Sequence, residues 1–287
     1  MKKAIRGKYK IIKNEEISPG LFELTVDTPD IAGAATAGQF VNVYLPSAET
    51  ILPRPISIAG VSGNALTIVY AVVGKGTKAM TGFGADDMVE IMGPLGTGFF
   101  DYAGSPIDES SSLTDNEDST ILLIGGGAGI PPLRFAAEKL RAAKKGNTKI
   151  VAALGYAKAP WYQEELKKIC DEVLLISETP GETSLNGRVT DLLDGIENPC
   201  FAITCGPRPM LKAVSDWCSE RKIPLRVSME ERMGCGYGAC AGCIIKTTAI
   251  DDPKKPQEGP NNPDSEGIIR KKVCVHGPVF WADEICW

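Results

Sequence analysis

The chain has no excess of positive charge. Its 31 lysines and arginines face 36 acids, leaving a net charge of −5, and a protein without a basic face is poorly suited to nucleic acid. No apolar run approaches the length of a membrane span. The start, MKKAIRGKYKIIKNEEI, carries charges but no apolar core of signal-peptide length, so no secretory leader is expected. Nine cysteines are present, an odd number without a secretion signal, which argues against a disulfide framework. A reducing cytoplasm, with some thiols holding a metal cluster, accounts for them better. The expected location is therefore cytoplasmic. Histidine is almost absent, with His276 alone, and no internal repeat is visible.

Three cysteines fall within nine residues, in MGCGYGACAGC, and a fourth follows: Cys235, Cys240, Cys243 and Cys274. The spacing C-x4-C-x2-C-x30-C follows the plant-type pattern for a [2Fe–2S] cluster, in which two irons take two thiolates each. Glycines at 234, 236, 238 and 242 let backbone N–H groups approach the sulfurs closely. The rival ligand is zinc, which usually takes paired C-x2-C knuckles; here the first gap is four. His276, two residues after Cys274, would be superfluous as a ligand and reads as a loop histidine. Cys170, Cys200, Cys205, Cys218 and Cys286 read mostly as small buried hydrophobes.

The first hundred residues read as six short strands separated by glycine and proline, with one helix-like stretch near TKAMTGF. Strands at that spacing predict a small antiparallel barrel over 1–102. Residues 103–119 are polar, acidic and without periodicity, and read as a linker. From Thr120 strands alternate with helices, which predicts a doubly wound, mostly parallel sheet over 120–229. Its first helix is opened by Pro131 and Pro132, carries Leu133, Ala136, Ala137 and Leu140 at helical spacing, and stops at Gly146. Further helices are expected around 161–170, 189–194 and 208–222. Residues 230–287 form a terminal cysteine-bearing module, interrupted by a Pro-, Gly- and charge-rich insert at 251–267. Trp281 and Trp287 are expected to cover that module.

Several turns carry possible chemistry. Residues 125–129, GGGAG, join a strand to a helix opened by prolines, a suitable seat for phosphate. Steric demands of a tight turn explain the same glycines equally well, and the spacing departs from G-x-G-x-x-G. Arg54-Pro55-Ile56-Ser57 offers a forked cation and a hydroxyl, or is simply a turn. Gly74-Lys75-Gly76-Thr77 offers backbone N–H groups, or is a loop needing glycine dihedrals. Cys205, at the carboxyl end of a parallel strand, borders a nicotinamide or is a buried strand cysteine. Glu178 could repel a 2′-phosphate and so favour NAD, or is a loop acid in solvent.

The order RPIS, GKGT, GGGAGIPPL, CGPRPM, the cysteine loop and VCVHGPVF resembles the ferredoxin-reductase superfamily. Within it, the chain is similar to the iron–sulfur flavoprotein subunits of class 1B dihydroorotate dehydrogenases. The resemblance implies a six-stranded FAD-binding barrel, an NAD-binding domain and a small [2Fe–2S] module. It implies that Arg54, Pro55, Ile56 and Ser57 line the FAD ring and diphosphate, that Val69, Tyr70 and Ala71 touch the flavin, and that Gly76 and Thr77 bind its phosphate. Gly125, Gly126, Gly127 and Gly129 would face the NAD diphosphate. Cys205 would lie near the nicotinamide, and Cys235, Cys240, Cys243 and Cys274 would hold the cluster. It further implies electron flow from an FMN-containing catalytic subunit through cluster and FAD to NAD+, in a heterotetramer of two of each subunit serving pyrimidine biosynthesis. The long spacer before Cys274, and His276 where an acid is usual, depart from the pattern. The nearest alternatives are the small subunit of a ferredoxin:NADP+ oxidoreductase or of a sulfide dehydrogenase. An alternative of another class is a zinc-stapled, nucleotide-binding protein without redox activity.

Overall fold

The computed structural model describes residues 4–45, 51–102, 105–108, 118–143, 147–249, 264 and 266–287. Most of the expected linker, most of the 251–267 insert and the expected stop at Gly146 lie outside the described residues.

The barrel is built from β1 (Ile5–Ser18), β2 (Leu21–Asp27), β3 (Phe40–Tyr44), β4 (Arg54–Ser62), β5 (Ala65–Ala71) and β6 (Met88–Leu95), with α1 (Pro29–Ala32) and α2 (Lys75–Met80) in its connections. It closes in the order β1-β2-β5-β4-β3-β6, and every neighbouring pair is antiparallel. Closure leaves no unpaired edge. Its core follows from period-two alternation: Leu66 and Ile68 of β5, and Val89 and Ile91 of β6, are buried, while Met88 is exposed. The helix-like stretch near TKAMTGF is α2, and α1 is a further single turn opened by Pro29.

The second sheet begins with β7 (Thr120–Gly126), α3 (Ile130–Ala143), β8 (Lys149–Tyr156), α4 (Gln163–Lys167) and β9 (Glu172–Ser177). It continues with β10 (Pro199–Cys205), α5 (Arg208–Glu220) and β11 (Leu225–Ser228). The order β9-β8-β7-β10-β11 is parallel throughout. Every residue of β7 is buried, as expected where both faces of a parallel sheet are covered. Ile121 and Leu123 share one core with Leu133, Ala136 and Leu140 of α3 and with the barrel. Leu122 and Ile124 share the other with Leu211 and Val214 of α5, so the sheet is doubly wound. The helix expected over 161–170 is the five-residue α4, and that over 189–194 is a 3-10 turn, Val189–Gly195.

The cysteine-bearing segment adds a hairpin of β12 (Ile244–Thr248) and β13 (Ile268–Lys272), then α6 (Val273–His276) and β14 (Val279–Trp281). β14 runs antiparallel to β11 and forms the sixth strand of the main sheet. Trp281 therefore covers a junction wider than the terminal module. Its ring meets Tyr102 edge-on at 4.9 Å and Phe201 at 6.3 Å, beneath the Arg226 guanidinium at 4.7 Å. Trp287 packs against the core that α5 shares with this segment.

One buried ion pair ties the hairpin to the chain end. Lys271 Nζ lies 2.5 Å from Glu284 Oε2, with side chains 3% and 4% exposed, and Glu284 Oε1 accepts the Trp281 N–H at 3.0 Å. Removing one partner leaves a buried charge uncompensated. Glu284→Ala should cost about 3–5 kcal/mol in denaturant unfolding, and pairing it with Lys271→Met should restore much of that loss.

Candidate functional site

A cleft of about 300 Å³ opens where β4 and β5 of the barrel face the carboxyl ends of β7 and β10. Pro55, Ile56, Ser57, Val69, Tyr70, Ala71, Thr77, Gly129 and Cys205 all line it. Residues from five separate segments of the sequence thus meet in one space. Tyr70 is fixed there by stacking on Phe22, with centroids 5.6 Å apart, and by donating to Asn14 Oδ1 at 3.1 Å. Burial pushes its phenol up to about 12. Arg54 stands beside the cleft. Its guanidinium donates to the carbonyls of Leu52 and Pro53 at 3.2 and 3.3 Å and occupies the space that a side chain at Gly76 would need. The Thr77 hydroxyl closes its own turn, accepting the Val73 and Gly74 N–H groups at 2.9 and 3.1 Å.

The floor of the cleft is the switch point of the doubly wound sheet. β7 and β10 are neighbours whose crossovers leave in opposite directions, which opens a crevice at their carboxyl ends. A side chain at Gly129 would overlap the Cys205 carbonyl, so glycine there lets the two turns touch. The GGGAG turn divides its roles. Gly125 lies beneath Leu133 and Ile130 and lines neither cleft. Gly126 and Gly127 line a second cleft, of about 410 Å³, with Tyr156, Glu178, Arg188 and Met210. The Cys205 thiol is pushed up to about 12 by burial, partly offset by the Ser228 hydroxyl. It is therefore a neutral group at pH 7, able to present a small polar surface and unable to act as a thiolate.

The four clustered cysteines stand as two pairs. Cys240 donates its N–H to Cys235 Sγ at 3.4 Å, and the two side chains also meet. Cys243 precedes β12 and Cys274 follows β13. The antiparallel ladder, with Ile244 opposite Lys272, brings them together, with sulfurs 3.3 Å apart. The insert is attached at the far end of that hairpin, so its length leaves the pairing unaffected. Among the described residues no three Cys, His, Asp or Glu side chains converge on a single metal point. Two thiol pairs fit two irons with two ligands each better than one tetrahedral zinc.

The backbone supports the same chemistry. Burial raises the Cys235 thiol, but the N–H groups of Cys240, Tyr237 and Ala239, with the Cys240 thiol, together outweigh it and lower Cys235 to about 6. Burial and the adjacent Cys243 thiol hold Cys274 above the ordinary range. His276 accepts the Lys272 N–H on Nδ1 at 2.9 Å, a local turn contact.

Sequence reasoning missed several contributors. Glu230, Glu231 and Met233, in the stem of the cysteine loop, line the first cleft, as does Pro278 after the last cysteine. Asn42 of β3 donates from Nδ2 to the Cys235 carbonyl at 2.9 Å. Their signal was position in the chain next to the ligands, except for Asn42, which lies 193 residues away.

A closed antiparallel barrel, a doubly wound sheet and a cysteine loop sharing one cleft define an iron–sulfur reductase of the ferredoxin-reductase type. Residues 230–286 match the iron-sulfur cluster binding domain of dihydroorotate dehydrogenase B. The chain is 30% identical to the dihydroorotate dehydrogenase B (NAD(+)) electron transfer subunit of Caldanaerobacter subterraneus subsp. tengcongensis, over 97% of each chain. To the subunit of that name from Bacillus cereus it is 34% identical over 96% of each. The chain belongs to the family of dihydroorotate dehydrogenase B electron transfer subunits. It also superposes on an NADH-dependent reduced ferredoxin-NADP oxidoreductase studied for flavin-based electron bifurcation, with a TM-score of 0.74 and 26% identity, covering 97% of this chain and 90% of that one. Among the described residues no helix is long and apolar enough to cross a membrane.

The Gly129–Cys205 contact is testable in isolation. Gly129→Ala should force the turns apart, cost about 1–3 kcal/mol as overpacking does, and expose Cys205 to iodoacetamide. Denaturant melts and mass spectrometry of the alkylated protein read both effects.

Proposed function

We propose that the chain is the electron-transfer subunit of an NAD-linked dihydroorotate dehydrogenase, coupling a separate FMN-bearing catalytic subunit to NAD+ in pyrimidine biosynthesis. The observation that carries this reading is two thiol pairs, formed by a loop and the hairpin that follows it, with the stem of that loop lining the first cleft. The full-length likeness to electron transfer subunits supports it. The four-cysteine set favours it over the bifurcating oxidoreductase, the structural relative of lower identity. A bound flavin exchanges electrons singly or in pairs, which lets one cleft serve both an iron–sulfur group and a nicotinamide.

The residues present fit these groups. Pro55, Ile56, Ser57, Val69, Tyr70 and Ala71 form a largely apolar slot bearing the Ser57 hydroxyl for the flavin ring, and Arg54 over Gly76 supplies a forked cation for its diphosphate. Because the Thr77 hydroxyl closes its own turn, Thr77 and Gly76 serve the phosphate through a fixed backbone. Gly129 and Cys205 accept the nicotinamide end of the dinucleotide at the switch point, and Gly126 and Gly127 let its diphosphate pass into the second cleft. Gly125 contributes by packing. Cys235 with Cys240, and Cys243 with Cys274, each hold one iron. The domain limits 1–102, 120–229 and 230–287 follow these three tasks, with β14 as the tie between the last two. The assembly is a cytoplasmic heterotetramer of two of each subunit.

The decisive experiment is an anaerobic visible spectrum of the purified chain, with iron and acid-labile sulfide assayed on the same sample and the mass of the co-expressed complex taken by light scattering. Flavin bands, about two irons and two sulfides per chain, and a two-plus-two complex are expected. Cys240→Ala should abolish the cluster and keep the FAD. A colourless protein with one zinc would sink the reading.

Nucleotide choice rests on the second cleft. Glu178 and Arg188 both line it, and Glu178 is assigned the role of opposing a 2′-phosphate. NADH should therefore reduce the flavin faster than NADPH in stopped-flow, and Glu178→Ala should narrow the gap. Equal native rates would remove the role given to Glu178.

A further inference from the structure

Asn42 is an unusual residue for its place. It sits between Val41 and Val43, which are buried in the barrel core, so strand alternation turns it to the barrel's outer face. That face would ordinarily be wet, yet Asn42 is 0% exposed because the cysteine loop covers it. Its Nδ2 donates to the Cys235 carbonyl at 2.9 Å, while Oδ1 is buried without a partner. A leucine or valine would seal the same seam without burying an unfilled acceptor. What the amide provides, and an aliphatic side chain cannot, is the bond to Cys235.

That bond has a definite consequence for the loop. The carbonyl of Cys235 is held toward the barrel, so the chain turns at once through Gly236, with φ +73°. The N–H groups of Tyr237, Ala239 and Cys240 then fall on the Cys235 sulfur. The fit between amide and turn is close: a Cβ at Gly236 would lie 2.5 Å from Asn42 Oδ1 and 2.6 Å from Nδ2. On its backbone side Asn42 pairs with Pro55 of β4, which lines the first cleft. One residue thus joins the cleft wall to the first thiol of the loop.

We infer that Asn42 is a positioning residue for the iron–sulfur group, fixing the Cys235 peptide and through it the loop's distance and orientation to the flavin cleft. The inference rests on the function proposed above. Hydrogen-bonding partners that orient metal ligands commonly change metal affinity by about 10–100-fold when removed, and Asn42 acts on the peptide of a ligand rather than on the metal.

The test uses the full chain, loaded anaerobically, as native protein and as Asn42→Leu and Asn42→Ser. The first variant keeps the branched skeleton but has no donor, and the second keeps a small polar side chain too short to reach the Cys235 carbonyl. Measured quantities are iron release to a chelator, the electron paramagnetic resonance spectrum of the reduced protein, FAD per chain and melting temperature. Both variants should release iron about tenfold faster or more and show a shifted spectrum, with FAD per chain unchanged. Native release rates and spectra in both, even with a lowered melting temperature, would make Asn42 a structural residue only and overturn the inference. Loss of FAD along with iron would assign it to the barrel in general and overturn it as well. Native protein without iron and sulfide would instead overturn the proposed function, and this inference with it.

Discussion

The near contact between Gly129 and the Cys205 carbonyl sets the geometry on which both clefts depend. Two parallel strands whose crossovers part in opposite directions always leave a crevice, but its depth is decided by how closely the turns beyond the strands approach. Here they touch, and the contact lies in the wall of the first cleft, while Gly126 and Gly127 of the same turn line the second. The barrel meets the sheet through α3. Arg134, paired with Glu138 at 2.7 Å, lies where a side chain on Gly60 of β4 would be. Position 60 lacks a side chain, and the Arg134 guanidinium uses that space where β4 lies against α3.

The cysteine segment completes the cleft instead of hanging from it. β14 extends the main sheet, Pro278 and Met233 line the first cleft, and the buried Lys271–Glu284 pair clamps the hairpin to the chain end. This explains why a ligand spacing as long as thirty residues is tolerable. Cys243 and Cys274 are neighbours across a ladder, and what lies between them is attached at its other end. Chain length added to such a connection costs little free energy, because closure entropy grows only logarithmically with length.

Much of this architecture was legible in the residues. Alternating strands such as ALTIVYA, and the switch to strand–helix alternation at Thr120, encode the two sheets through the period of their apolar positions. The cysteine spacing encodes its chemistry because thiolate count and loop reach are local properties. What stayed hidden was non-local. Nothing in VFW marks β14 as the partner of β11, since three apolar residues carry no period. Nothing in FVNVY says that the outer face of β3 is roofed, because alternation gives the direction of Asn42 but not what lies above it. The glycines of GGGAG look alike in sequence, yet Gly125 answers to Leu133, Gly126 and Gly127 to the second cleft and Gly129 to Cys205.

The cysteines make the same point in chemical terms. Cys205 and Cys235 are the same side chain, each next to a glycine at 206 or 236. Cys205 is sealed at the end of a parallel strand whose N–H groups are already committed to the ladder, and burial pushes it up to about 12. Cys235 begins a loop with no ladder to satisfy, so the N–H groups of Tyr237, Ala239 and Cys240 are free to turn onto its sulfur and bring it to about 6. A neutral thiol adds no charge to the floor of the cleft, and a thiolate suits a metal. The division of labour among the nine cysteines is thus set by where the backbone spends its hydrogen bonds, which is a property of the fold that spacing alone reveals only for the four in the loop and its hairpin.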